Sequence, residues 1–127
     1  MLVFPDIEQD IVAGLKEQFP MVRIGTKKLP ADQQPAVQIV VTATYGSEKS
    51  VSPVLRFAGI VLDVYADDYG TANSTALEAC GALMLLVGEN LKHVKLVSGP
   101  TRMGDDTGQE HRAISAEIVV KANDQNI

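Results

Sequence analysis

A single cysteine, Cys80, is the only thiol in this chain of 127 residues. One thiol excludes an internal disulfide and any metal site built from several thiolates, and makes intracellular synthesis the natural expectation. Tryptophan is absent and aromatic residues make up only 5%. Basic residues are scarce too: 11 against 16 acidic ones, a net charge of −5. A nucleic-acid surface needs clustered Lys and Arg to displace counterions. Here the one adjacent basic pair, Lys27–Lys28, falls in an expected turn and reads as solvated loop. Long apolar runs are also missing. The longest, Ala79 to Gly88, falls well short of the roughly 20 residues that span a bilayer. Pro5, Asp6, Glu8 and Asp10 interrupt the opening, which lacks the pattern of a signal peptide. The expectation is a soluble protein without a membrane partner.

What is present suits one core. Apolar residues reach 46% and charged residues 21%, a balance that favours folding over disorder, and the length fits a single domain over 1–127. Asp6 with Gln9 forms a capping-box pattern ahead of a helix over about Asp6 to Gln18. Ile7, Ile11, Leu15 and Phe19 share one of its faces, with Val12 beside them, and Pro20 stops it. A short strand over Met21 to Gly25 and a Pro-punctuated loop from Thr26 to Pro35 follow. Alternation predicts a strand over Ala36 to Tyr45, and Gly46 to Pro53 reads as a polar turn. Val54 to Tyr65, apolar almost throughout, then returns as the antiparallel partner.

A second helix is predicted from Thr71, its cap, to Leu91, with Ala76, Cys80, Leu83, Val87 and Leu91 on one face. Gly81 and Gly88 weaken it by about 1 kcal/mol each and mark a face open to close approach. Val94 to Met103, interrupted at Gly99–Pro100, and Glu110 to Ala122 form the last two strands. Asn123 to Ile127 reads as a frayed tail. The order α-β-β-β-α-β-β implies an α+β domain, its antiparallel or mixed sheet carrying both helices on one face.

No catalytic, cofactor-binding or metal-binding constellation emerges. His93 and His111 stand apart, and Asp105 or Asp106 beside His111 are acidic residues of a Gly-flanked turn, where they serve as turn formers. Asp63, Asp67 and Asp68 cluster before the second helix, whose N-terminus attracts negative charge without further function. No Gly-rich loop has nucleotide-binding spacing. Cys80, on the predicted core face, reads as a small buried hydrophobe rather than a nucleophile. The expectation is a protein that is not an enzyme.

The sheet face away from the helices is the informative feature. It should be polar, and Gln38, Thr42, Thr44, Glu117 and Lys121 are, but Val40, Phe57, Val61, Tyr65 and Val119 are not. An apolar patch rimmed by charge marks an interaction surface, so these five are candidate subunit-interface residues.

The chain resembles the tail terminator (tail completion) proteins of long-tailed, non-contractile bacteriophages. The likeness rests on PDIEQDIVAGLKEQFP, PAVQIVVTATYG, RFAGIVLDVYADDYGTANSTALEACGALMLL and HRAISAEIVVKA, which together cover most of the sequence. In that family a strand ending aromatic-Ala-Asp runs into the second helix, as Tyr65-Ala66-Asp67 does here, and the final strand begins near an Arg, here Arg112. The resemblance implies a virion protein made in the host cytoplasm. It would form a homo-oligomeric ring, a hexamer, on the head-proximal end of the tail. There it would end tube polymerisation, contacting the tail tube protein below and a head–tail connector or head completion protein above. Arg112 would join the subunit interface. Double-stranded DNA would be passing cargo, repelled by a lumen to which Asp67, Asp68, Asp105 and Asp106 contribute. Other head–tail neck proteins share much of this pattern, and a cytosolic oligomeric binding module without catalysis fits the composition equally well.

Overall fold

The protein is described by a computed structural model over residues 2–33, 35–52, 54–86, 88, 91–104 and 108–124. In chain order these form β1 (Leu2–Val3), α1 (Ile7–Gln18), β2 (Arg23–Gly25), a single 3₁₀ turn (Ala31–Gln33), β3 (Val37–Ser52) and β4 (Leu55–Ala66). After them come α2 (Tyr69–Met84), β5 (Leu91–Met103), β6 (Glu110–Lys121) and β7 (Asn123–Asp124). The main sheet has five strands in the order β2-β3-β4-β6-β5, and β1 pairs with β7 in a separate two-stranded ribbon. Every neighbour in the main sheet is antiparallel except β2, which runs parallel to β3. The fold is therefore a mixed-sheet α+β domain, as the patterning implies.

Alternation sets which side each strand buries. Ile39 and Val41 of β3, Ile60, Leu62 and Val64 of β4, and Ile114, Ile118 and Val120 of β6 line one face and are buried. Against that face α1 lies over β2 and β3 while α2 lies over β4, β5 and β6, and the helices touch each other. Ile7, Ile11, Val12 and Leu15 of α1 join the same core as Ala76, Ala79 and Leu83 of α2. Burying each large aliphatic side chain there is worth roughly 1.5–3 kcal/mol. Gly14 leaves room on α1 for the side chain of Leu86, just past the end of α2: a Cβ there would stand 2.5 Å from Leu86 Cδ2.

Several boundaries differ from those read off the sequence. The α1 cap is as expected, with Asp6 accepting from the Gln9 N–H at 3.3 Å. The cap of α2 is Asp68 rather than Thr71. Asp68 accepts from both the backbone N–H and the hydroxyl of Thr71, at 2.8 and 2.9 Å. This helix ends at Met84 instead of Leu91, because Leu91 opens β5 opposite Val120 and is buried there as a strand residue. Val87 lies outside the described residues. Among the described residues a Cβ at Gly81 or Gly88 would meet nothing within 4 Å, so neither marks close packing there. The β3 backbone continues to Ser52, through the predicted turn, with register shifts after Tyr45. The expected tail is partly paired, since Asn123 and Asp124 bond to β1.

Candidate functional site

The register places the sequence-predicted interface residues on the sheet face opposite the helices, but in unequal environments. Val40 is buried, Phe57, Tyr65 and Val119 are half-buried, and Val61 is 36% exposed. Phe57 pairs with Val119, which pairs in turn with His93, so these three form one row across the sheet. Val61 lies between Thr42 and Ser115. Lys95 reaches over this region: its Nζ stands 4.3 Å above the Phe57 ring and 3.4 Å from Glu117 Oε1. The face is a mosaic of apolar rows under charged side chains, not a bare greasy surface.

One end of this face is polar. Asp63 Oδ1 and His111 Nε2 lie 2.7 Å apart, and the His111 ring stacks on Tyr65 at 4.3 Å between centroids. Lys28 Nζ sits 4.2 Å from the Tyr65 centroid. Beside them Gln38 is fully buried, its Oε1 accepting from Arg23 Nη1 and the Leu29 N–H, both at 3.3 Å. The Lys27–Lys28 segment is therefore tied to the sheet edge by these contacts and by Arg23 Nη1 donating to the Lys27 carbonyl.

Arg112 does not share that surface. Strand alternation sends it to the helix side, in phase with Ile114 and Ile118, and it is only 2% exposed. Its Nε donates to Asn73 Oδ1 at 2.7 Å, and its Nη1 donates to the His111 carbonyl at 3.1 Å and faces Glu110 Oε1 at 3.0 Å. Glu110 also meets Arg102 Nη2 at 3.3 Å, so one carboxylate bridges two guanidinium groups. The Tyr69 ring lies against both, 4.9 Å from Arg112 and 5.3 Å from Arg102. Tyr69, Asn73, Leu77, Pro100, Arg102 and Arg112 line an open cleft of about 300 Å³ where α2 meets β5 and β6. Only Arg112 was singled out from the sequence. An Arg in the alternating core phase of the last strand is the available signal, whereas Tyr69 and Asn73 come from α2 and Arg102 from β5, distant in sequence.

The acidic candidates separate. Asp67 and Asp68 are exposed at the start of α2, Asp67 accepting from Gln109 Nε2 at 3.3 Å. The N–H and hydroxyl of Thr71 hold the Asp68 carboxyl below its usual range. Asp105 and Asp106 lie outside the described residues. Among the described residues no three His, Cys, Asp or Glu side chains converge as metal ligands, and no helix is long and apolar enough to cross a membrane. Cys80 is half-buried against the core rather than within it, and burial pushes its thiol pKa up. A raised pKa leaves less thiolate for nucleophilic chemistry at neutral pH. No protein-family model matches the chain, and no curated protein matches it.

Proposed function

We propose that this protein is a non-enzymatic structural subunit that works by assembling with copies of itself. We further propose that the assembly is the ring closing the head-proximal end of a phage tail. The observation that carries the reading is a pair of unlike adhesive surfaces on opposite sides of one sheet. The outer sheet face offers Val61 with the Phe57–Val119 row. The helix layer offers an apolar stripe on α2, where Leu77 and Met84 are 63% and 58% exposed and Leu85 and Tyr69 are also uncovered. A ring needs a heterologous contact, one patch of a subunit meeting a different patch of the next. Two different, partly apolar patches facing opposite ways suit that geometry.

In this reading the ring ends tube growth, contacts the tail tube protein and a head–tail connector, and lets double-stranded DNA pass. Asp67 and Asp68 are the described residues whose negative charge would serve the lumen. Light scattering and native mass spectrometry on the full chain test the assembly. A closed oligomer of defined stoichiometry is expected, with rings visible in negative-stain micrographs. A monomer at every concentration up to the millimolar range refutes the reading.

A further inference from the structure

Charge is divided unevenly between the two layers of the fold. The helices and their caps carry Asp6, Glu8, Asp10, Glu17, Asp68 and Glu78 against one base, Lys16. Arg102 and Arg112, beside α2, share the Glu110 carboxylate and leave that layer acidic. The outer sheet face carries Arg23, Lys28, Lys95 and Lys121 against Asp63 and Glu117. An acidic layer therefore backs onto a basic face, in a chain whose net charge is −5. Two copies meeting through the same face would set like charges against each other, acid on acid or base on base. The helix layer of one copy against the outer face of the next joins opposite signs instead.

The middle of each surface holds a glycine that the single chain does not require. Gly81 is exposed on α2, one turn after Leu77 and Glu78 and one turn before Met84 and Leu85. Among the described residues a Cβ there would meet nothing within 4 Å, and glycine weakens a helix by about 1 kcal/mol. Gly59 is exposed on β4 between Phe57 and Val61, where a Cβ would make only ordinary contact with Thr44, at 3.7 Å. Glycine inside a strand also weakens it, and marks places where another backbone comes close. Neither glycine has a positive φ. The surfaces differ in size of side chain as well. Around Gly59 the exposed residues are Thr42, Thr44, Val61 and Ser115, whereas α2 exposes Tyr69, Leu77, Met84 and Leu85. Glu78, the one charge within α2, has no hydrogen-bond or ion-pair partner among the described residues.

We propose that α2 of one copy lies on the outer sheet face of the next, with Gly81 seated over Gly59. The missing side chains let helix and strand backbones approach, so that Leu77 and Met84 reach Val61 and the Phe57–Val119 row on either side of Gly59. Glu78 then enters a surface on which bases outnumber acids. The proposal rests on the self-assembly reading and names the two elements that meet, with the register between them. Because the contact joins unlike faces, every copy keeps one face open until the ring closes.

The test uses the full chain with one face blocked at a time. Gly59→Val blocks the sheet side and Gly81→Leu the helix side, and each new side chain suits its own element. Urea denaturation should show both variants at least as stable as wild type. Native mass spectrometry should show the dissociation constant of the assembly raised at least ten-fold (roughly 1.4 kcal/mol) in each. Should either variant fail to fold, Gly59→Ala or Gly81→Ala takes its place. Mixing the two blocked variants then tests the pairing itself. Each brings one intact face, so the mixture should form one-to-one dimers that neither variant forms alone and that grow no further. A blocked variant that assembles like wild type overturns the proposal. So does a symmetric dimer of one variant, or a mixture that stays monomeric up to millimolar concentration. A wild-type chain that never assembles refutes the self-assembly reading instead, so the two failures are told apart.

Discussion

Asp68 shows how one side chain sets where an element begins. By accepting from the Thr71 N–H it satisfies a donor that the first turn of α2 leaves open, the Thr71 hydroxyl adds a second bond, and its negative charge sits at the positive end of the helix dipole. Those bonds hold its folded pKa below the ordinary 3.8. A carboxyl with a depressed folded pKa contributes stability that is complete above the unfolded pKa. That contribution disappears as pH falls through the folded value. Asp68→Asn keeps an acceptor but removes the charge. Thermal melts should show the wild type ahead at pH 7 and the difference closing between about pH 4 and pH 2, the region around and below the ordinary Asp pKa. A difference that widens in acid would contradict the assignment. Gly99 is the other position where a single residue decides. Its φ is +96°, and an added Cβ would lie 2.6 Å from the Ala113 carbonyl oxygen. Gly99→Ala should destabilise by about 1–3 kcal/mol, measured by urea denaturation, because left-handed strain and a backbone clash act together.

Elements are held by faces, and α2 has one face more than the fold uses. Ala72, Ala76, Ala79 and Leu83 bury the core side, and small residues there let the helix lie close over β4 and β6. Tyr69, Leu77, Met84 and Leu85 remain outside. Among the described residues nothing lies within 4 Å of a Cβ added at Gly81, so the intrinsic helix preference should decide the effect of changing it. Gly81→Ala is expected to raise monomer stability by about 1 kcal/mol, through the higher helix propensity of Ala. If the α2 stripe is covered in the assembly, the same substitution would weaken association by adding a methyl group at a contact. Stability measured by denaturation and association measured by light scattering should then move in opposite directions.

For the whole molecule the question is which side of the sheet meets another subunit. Phe57 is half-buried on the outer face with Lys95 above its ring. A carboxylate at that position would find the Lys95 ammonium in the free chain, so Phe57→Glu should fold. In the assembled state the same carboxylate would be taken from water, at a cost of several kcal/mol. The expected outcome is a folded protein that sediments as a monomer. Outright unfolding would instead make Phe57 a part of what holds the single chain together, and full assembly would place the contact elsewhere.

How much of this was legible in the sequence follows from the range of the interactions. Patterns that repeat along the chain carried α1 with its Asp6 cap, the alternation of β3, β4 and β6, and the division of residues between the two sheet faces. In each, neighbours at fixed spacing determine which side is apolar. The end of α2 was not legible, because Leu83 to Val87 is an unbroken apolar run whose pattern suits either a helix or a strand. Pairing of Leu91 with Val120, 29 residues later, decides it. The same holds for the cleft around Arg112. Arg112 is a charged residue in the core phase of an apolar strand, but Tyr69, Asn73, Pro100 and Arg102 reach it only because β5 pairs beside β6 and α2 packs across both. Local periodicity determined the faces, while long-range strand pairing alone decided which charges those faces bring together.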